Sequence, residues 1–197
     1  MTVQNPVSVI MESARGYQPI ILTDVLMSQR KIFMLGAVDT ESCSRIISQL
    51  MYLDSAAPGE DITVYINSPG GNVSDGLGVY DCMRMIRSRI RTVCIGTAAS
   101  MGSIIFLGGD RRCMLPHSRL MIHDPSNGSD FTGKRPNDIQ TALDMLRTVQ
   151  YELCEIISER TGQKIEDVYE QTATETYFNS QQAVDHGFAT EIISSLE

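Results

Sequence analysis

The chain has 197 residues, and 16 Lys and Arg against 24 Asp and Glu give it a formal net charge of −8. A hydrophobic share of 42% excludes a mostly disordered or collagen-like chain, and this length allows one domain with a proper core. The acidic balance argues against nucleic-acid binding, and no apolar run approaches the roughly 20 residues of a membrane helix. Because the first residues also lack a signal-peptide pattern, we expect a cytoplasmic protein without nucleic-acid or membrane partners.

Extended apolar runs alternate with helical patterns along most of the chain. The first fifteen or so residues show little helical or strand period, and we expect residues 1–19 to form a mobile arm. Strands are predicted at 31–36, 61–67, 90–96, 112–115, 118–123 and 190–194. Helices are predicted at 40–54, 74–88, 100–107, 137–160, 164–171 and 180–187. We expect Asn137 and Ser180 to be N-caps and Gly162 to end the long helix. Strands regularly separated by helices indicate an α/β fold with a largely parallel sheet.

The segment from Ile95 to Gly102 is the most informative for chemistry. A predicted buried strand passes through small residues into Ser100, and a helix begins immediately. This pattern is typical of a nucleophile elbow, in which small flanks permit a sharp turn and the helix N-terminus favours a developing negative charge. Ala98 stands where the usual motif has glycine, and serine is also a common helix N-cap. From the residues alone, Ser100 is either a nucleophile or a cap.

Two further segments could complete such a site. The pair Gly70 and Gly71 follows a predicted strand, and its backbone N–H groups could bind an oxyanion or simply form a turn into the next helix. Among the three histidines, His123 ends an apolar strand, which is the usual place for a functional side chain in an open α/β sheet. A general base and a structural histidine both stay open as interpretations at this point.

Four motifs follow one another along the chain: YINSPGG at 65–71, GTAASMG at 96–102, LPHSR at 115–119 and MIHDP at 121–125. In this order and spacing they resemble the proteolytic subunit of the ATP-dependent Clp protease (ClpP), and the resemblance extends almost end to end. It implies a crotonase-like fold of repeated ββα units. Residues 20–124 and 161–197 would form the head domain, and 125–160 a protruding handle of a strand and a long helix.

The same resemblance implies an assembly and its partners. Subunits of the family form heptameric rings, and two rings join through their handles into a tetradecamer that encloses the active sites. Residues 1–19 would be the axial loop, and the family's partner is a hexameric AAA+ Clp unfoldase that feeds in polypeptide substrates. This chain has no Gly-rich phosphate loop, so we expect no bound cofactor and assign ATP use to the unfoldase.

The resemblance also implies roles for five residues. Ser100 matches the family's nucleophile, and His123 its base. The backbone N–H groups of Gly71 and Met101 match the oxyanion hole. The family's triad acid is an aspartate, and counting back from the last helix puts Glu175 at that position.

Several positions depart from the family. Ala173 and Thr174 replace a Glu-Arg pair, and Asp124 follows His123 where glutamine is usual. Since adjacent strand residues point to opposite faces, Asp124 is not expected to orient the imidazole. These departures are typical of a divergent second copy of the subunit.

The sequence therefore predicts an ATP-dependent serine endopeptidase that degrades unfolded polypeptides to short peptides inside an oligomeric chamber. Two alternatives stay open. One is a weakly active or non-catalytic paralogue that works in a mixed ring with a second proteolytic paralogue. The other is an acyl-CoA hydratase or isomerase of the same superfold, whose oxyanion hole is built similarly.

Overall fold

A computed structural model of the chain describes residues 7–13, 16–126, 128 and 132–196. Its strands are β1 Ser8–Ser13, β2 Gly16–Ile21, β3 Lys31–Val38, β4 Ile62–Gly71, β5 Ile90–Ala99, β6 Arg111–Met114, β7 Arg119–Ile122, β8 Thr176–Asn179 and β9 Glu191–Ile192. Its helices are α1 Leu22–Ser28, α2 Thr40–Ala56, α3 Val73–Met85, α4 Met101–Leu107, α5 Pro136–Thr161, α6 Ile165–Thr172 and α7 Ser180–Asp185. The alternation confirms the expected α/β class.

The main sheet is parallel except at one edge. Among the described residues it holds seven strands, with the order β3-β4-β5-β6-β9 and all four of these pairings parallel. Strand β5 pairs with β6 along residues 91–94 and with β7 along residues 97–99, both in parallel. Strand β8 then adds to β7 in antiparallel orientation. This change of partner along β5 brings the carboxyl ends of β5 and β7 together.

Helix α4 is the most deeply enclosed helix of the fold. All seven of its residues are buried, which fits its apolar sequence MGSIIFL, since a helix that is hydrophobic on all sides must be covered on all sides. Helix α2 instead buries one face, and the residues of that face recur at helical spacing: Cys43, Ile46, Leu50 and Leu53. The strand-to-helix junction before α4 is therefore held in the interior. No helix in the described ranges is long and apolar enough to cross a membrane.

The amino-terminal arm contains structure that the sequence did not predict. β1 and β2 pair as an antiparallel hairpin, and α1 follows directly. The side chains of β2 are nearly all exposed, so no alternation of buried and exposed residues marks this strand in the sequence. Residues 1–6, 14 and 15 of the arm lie outside the described residues, and the arm's mobility stays a prediction.

The predicted helix ends need small corrections. Helix α5 has Arg135 as its N-cap and Pro136 in its first turn, so Asn137 lies inside the helix. Helix α7 is capped by Asn179, whose side chain accepts a hydrogen bond from the Gln182 backbone, because the amide side chain can reach that N–H from one residue earlier than Ser180. Gly162 ends α5 with a φ of 77°, as predicted.

The predicted handle is described only in part. Helix α5 occupies most of residues 125–160. The strand expected before it falls partly on residues 127 and 129–131, which lie outside the described residues. Strand β8 was missed in the sequence, because it has four residues and pairs with a strand more than fifty positions earlier.

A buried arginine joins the ends of several helices. The Arg112 side chain donates from Nε to the Phe188 carbonyl at 2.7 Å, and from Nη2 to the carbonyls of Arg160 and Gly187 at 3.1 and 3.2 Å. Burial is the main cause that lowers the pKa of Arg112 to about 10, and the nearby charge of Arg160 adds to it. The guanidinium stays charged at neutral pH and satisfies carbonyls that lack helical partners.

Arg160 extends the same arrangement to α4. Its Nε donates to the Leu107 carbonyl at 2.9 Å, and its Nη2 to the Gly109 carbonyl at 2.7 Å. Leu107 is the last residue of α4, so the two arginines connect the carboxyl ends of α4, α5 and α7. These hydrogen bonds hold the carboxyl end of α4 in place.

We predict that Arg112→Ala lowers the free energy of unfolding by about 3–5 kcal/mol, because it leaves several buried carbonyls without donors. The neighbouring Arg111 is the matched control: it is exposed and pairs with Glu191, so Arg111→Ala should cost less than about 1 kcal/mol. Urea unfolding of both variants at equal chain concentration measures the difference. Equal losses would contradict the role assigned to Arg112.

Candidate active site

Strand β5 delivers Ser100 to the start of α4 in an uncommon backbone conformation. Its φ is 53° and its ψ −124°, a region that costs a non-glycine residue about 1–3 kcal/mol. The Ser100 N–H donates to the Met121 carbonyl at 2.9 Å, and the Ser100 carbonyl accepts from the N–H and hydroxyl of Ser103 at 2.9 and 2.6 Å. The Ser100 side chain makes no capping bond. Ser100 is the N-cap residue of α4 by position, but its hydroxyl does not cap the helix, and its backbone has the strained geometry of a nucleophile elbow.

The Ser100 hydroxyl is bonded to an imidazole. Its Oγ lies 2.8 Å from Nε2 of His123, which directly follows β7. Because Ala99 pairs with Met121 across β5 and β7, the two side chains emerge from neighbouring strand ends. With the imidazole proton on Nδ1, the hydroxyl donates to Nε2, and the histidine can then take the proton. The contact is the one that a general base requires, and the role of His123 as that base stays a prediction.

The Gly70–Gly71 pair belongs to a strand and does not form the expected turn. β4 continues to Gly71, and Ala37 and Val38 of β3 pair with the two glycines. Gly70 has a φ of 93°, and a Cβ there would lie 2.7 Å from both the Ala99 carbonyl oxygen and the Cβ of Ser100. The turn was wrongly predicted because the pairing with β3 is a tertiary effect. Glycine is needed at position 70 because only a residue without a Cβ lets the backbone of β4 contact the turn at Ser100.

A cleft of about 70 Å³ opens over these elements. Gly71, Ser100, Met101 and His123 all line it, so the residues predicted to hold an oxyanion share a wall with Ser100 and His123. Met101 is the first residue of α4, where a backbone N–H has no partner within the helix. The arrangement can place donors opposite a carbonyl that Ser100 attacks.

In the described part of the chain, Glu175 is hydrogen-bonded neither to Ser100 nor to His123. Glu175 is exposed, and its Oε2 accepts a hydrogen bond from the Tyr177 hydroxyl at 3.0 Å. That bond raises the pKa of Tyr177. Within the described part of the chain, the His123 ring is hydrogen-bonded to Ser100 alone. The role of Glu175 as the third member stays a prediction, and it requires that the carboxylate leave Tyr177.

Sequence reasoning missed two residues around the site. Tyr177 lies two positions after Glu175, and residues two apart along an extended chain point to the same face, which is the signal that could have identified it. Asp124 was not expected to orient the imidazole, and among the described residues it makes no hydrogen bond to His123; what the sequence did not indicate is that Asp124 lines the same cleft as Ser100.

In the described ranges, no cluster of three His, Cys, Asp or Glu side chains is positioned to hold a metal ion. Several chemical groups meet on the cleft wall. These are a hydroxyl, an imidazole, two groups of backbone N–H donors and a nearby carboxylate.

The serine–histidine pair lies at parallel strand ends, beside the first turn of α4, on a crotonase-like α/β fold. A family model described as Clp protease matches residues 14–196. Because the match covers nearly the whole chain, the chain belongs to the Clp protease family and is a ClpP-type peptidase. The match favours a peptidase over the acyl-CoA hydratase or isomerase alternative.

We predict that Tyr177→Phe accelerates the reaction of Ser100 with a fluorophosphonate severalfold, because the lost hydroxyl frees Glu175 to reach His123. Glu175→Ala should slow the same reaction, since a misplaced imidazole is a poorer base. Intact-mass measurement of labelling over time gives the rates.

The double variant is the control for this prediction. In the Glu175→Ala background, Tyr177→Phe should have no effect on the rate. Acceleration by Tyr177→Phe without Glu175 would show that the tyrosine acts by another route, and a normal rate in Glu175→Ala would remove Glu175 from the triad.

Proposed function

We propose that this chain is a serine-type endopeptidase subunit that cleaves unfolded polypeptides inside an oligomeric chamber. The observation that supports it most is the 2.8 Å contact between Ser100 Oγ and His123 Nε2 at a positive-φ elbow. The backbone donors of Gly71 and Met101 on the same cleft add to this support.

The reaction follows from these positions. Ser100 Oγ attacks the peptide carbonyl while His123 Nε2 takes the hydroxyl proton. The N–H groups of Gly71 and Met101 stabilise the oxyanion of the tetrahedral intermediate. His123 then gives its proton to the leaving amine, and the C–N bond breaks to leave an acyl-enzyme. A water molecule, deprotonated by His123, then attacks the ester carbonyl. The acyl C–O bond breaks, His123 returns the proton to Ser100 Oγ, and the second product leaves as a carboxylic acid.

Glu175 would complete this reaction by accepting the Nδ1 proton of His123 in a hydrogen bond. Serine–histidine–glutamate triads work on other folds, although glutamate is one methylene longer than aspartate. The backbone must then sit slightly further from His123, and an error of ~1 Å can lower the rate about a hundredfold.

The assembly we propose has heptameric rings, paired into a tetradecamer, with a hexameric AAA+ Clp unfoldase at the axis. The unfoldase would use ATP, and residues 1–19 would line the axial entrance. In support, α5 exposes large apolar side chains that a partner subunit could cover: Ile139, Leu143, Met145 and Tyr151. We place this assembly in the cytoplasm.

A second candidate function is a weakly active paralogue in a mixed ring. The bond from Tyr177 to Glu175 favours it, because it holds the proposed third member away from His123. Peptide hydrolysis by the chain alone and after mixing with a second proteolytic subunit separates the two functions. A large gain on mixing supports the mixed ring.

We predict that Ser100→Ala abolishes peptide hydrolysis, with a loss of at least about a thousandfold, while assembly survives. The exposed Ser48 on α2 is the matched control, and Ser48→Ala should keep the wild-type rate. Fluorogenic peptide turnover and sedimentation measure both properties. Near-normal turnover by Ser100→Ala would mean that another residue is the nucleophile.

A further inference from the structure

The proposed reaction does not use one charged group on the wall of its cleft, the carboxylate of Asp124. This residue is the second after β7, and its backbone N–H donates to the Thr172 carbonyl at 2.7 Å. That bond fixes the chain between β7 and the end of α6. Asp124 therefore has a defined place in the same cleft as Ser100 and His123.

One oxygen of this carboxylate is buried without a partner. Oδ1 of Asp124 is inaccessible to solvent and accepts no hydrogen bond, and Asp124 takes part in none of the ion pairs found among the described residues. A buried charged acceptor without a donor is unfavourable, and native proteins rarely keep one without a functional reason. A positively charged donor would satisfy both the hydrogen-bonding capacity and the charge of this carboxylate.

The described lining of the cleft does not supply that donor. Apart from His123, which is hydrogen-bonded to Ser100 through Nε2, Asp124 is the one acidic or basic residue in that lining. The remaining wall near Asp124 is neutral or apolar, with Leu153, Cys154 and Ile157 from α5. Burial raises the pKa of the Cys154 thiol, and the Asp124 charge adds to that rise, so the neutral thiol is favoured there.

We propose that Asp124 is a specificity residue, whose carboxylate binds a Lys or Arg side chain of the substrate next to the scissile bond. This inference rests on the proposed peptidase function. A guanidinium or ammonium group would form charge-assisted hydrogen bonds with the carboxylate, and its aliphatic stem would pack along Leu153 and Ile157. An apolar side chain would leave Oδ1 without a donor, and a neutral polar one would leave the carboxylate charge unpaired, so the cleft discriminates against both.

The first measurement uses the unaltered chain. Two pairs of peptides are compared, and within each pair one peptide carries Arg and the other its uncharged isostere citrulline. In the first pair this residue precedes the scissile bond, and in the second pair it follows it. Mass spectrometry measures the cleavage. We expect kcat/KM for the Arg peptide to exceed that for the citrulline peptide by roughly tenfold or more at one of the two positions. Equal values at both positions would overturn the inference.

The second measurement changes the carboxylate. In Asp124→Asn the shape is kept and the charge is lost, so the Arg-to-citrulline ratio should fall to within about threefold. Asp167→Asn is the matched control, because it removes the same charge from an exposed position on α6 and should keep the wild-type ratio. A ratio that stays high in Asp124→Asn would overturn the inference.

A covalent probe separates this inference from the peptidase proposal. Peptidyl phosphonates with a lysine-like or a norleucine-like side chain should label Ser100, the lysine-like one faster. Equal labelling overturns the inference alone, whereas no labelling and no cleavage of any peptide overturns the peptidase proposal and the inference with it. Sedimentation compares the assembled size of Asp124→Asn with that of the wild type. A smaller assembly would mean that the carboxylate forms an ion pair between subunits, and this result would also overturn the inference.

Discussion

The close approach of β4 to the β5–α4 junction is the constraint on which the site depends. Gly70 brings its backbone so near to Ser100 that any side chain would collide with the Ala99 carbonyl. With β4 in that position, the peptide of Ser100 is held by Met121 on one side and Ser103 on the other. The positive φ of Ser100 is thus imposed by packing, and it turns the hydroxyl toward His123.

The rest of the fold keeps this junction rigid. Strand β5 pairs first with β6 and then, toward its carboxyl end, with β7. The end of β7, which leads to His123, therefore lies beside the end of β5, which leads to Ser100. Helix α4 is buried throughout, and Arg112 and Arg160 bind the carbonyls behind it. The proposed catalytic groups therefore sit on strand and helix ends, and not on free loops. Among the described residues, neither Asp124 on the cleft wall nor Glu175 is hydrogen-bonded to His123.

Local patterns in the sequence predicted the parts of the fold that local physics decides. The apolar stripe of α2, the glycine end of α5 and the small-residue approach to Ser100 follow from spacing and residue type. Contacts between distant segments decided the rest. The continuation of β4 through Gly71 depends on β3, and strand β8 depends on β7. The position of the Glu175 carboxylate depends on a tyrosine two residues later, which motif matching does not weigh.

The central claim is that His123 activates Ser100, and the rate of Ser100 acylation tests it most directly. The measurement compares fluorophosphonate labelling of the wild type and of His123→Ala by intact mass, with both chains in the same assembled state. The account predicts a loss of roughly a hundredfold to ten-thousandfold without the imidazole. Equal labelling rates would contradict it, because the 2.8 Å contact would then have no part in activating the serine.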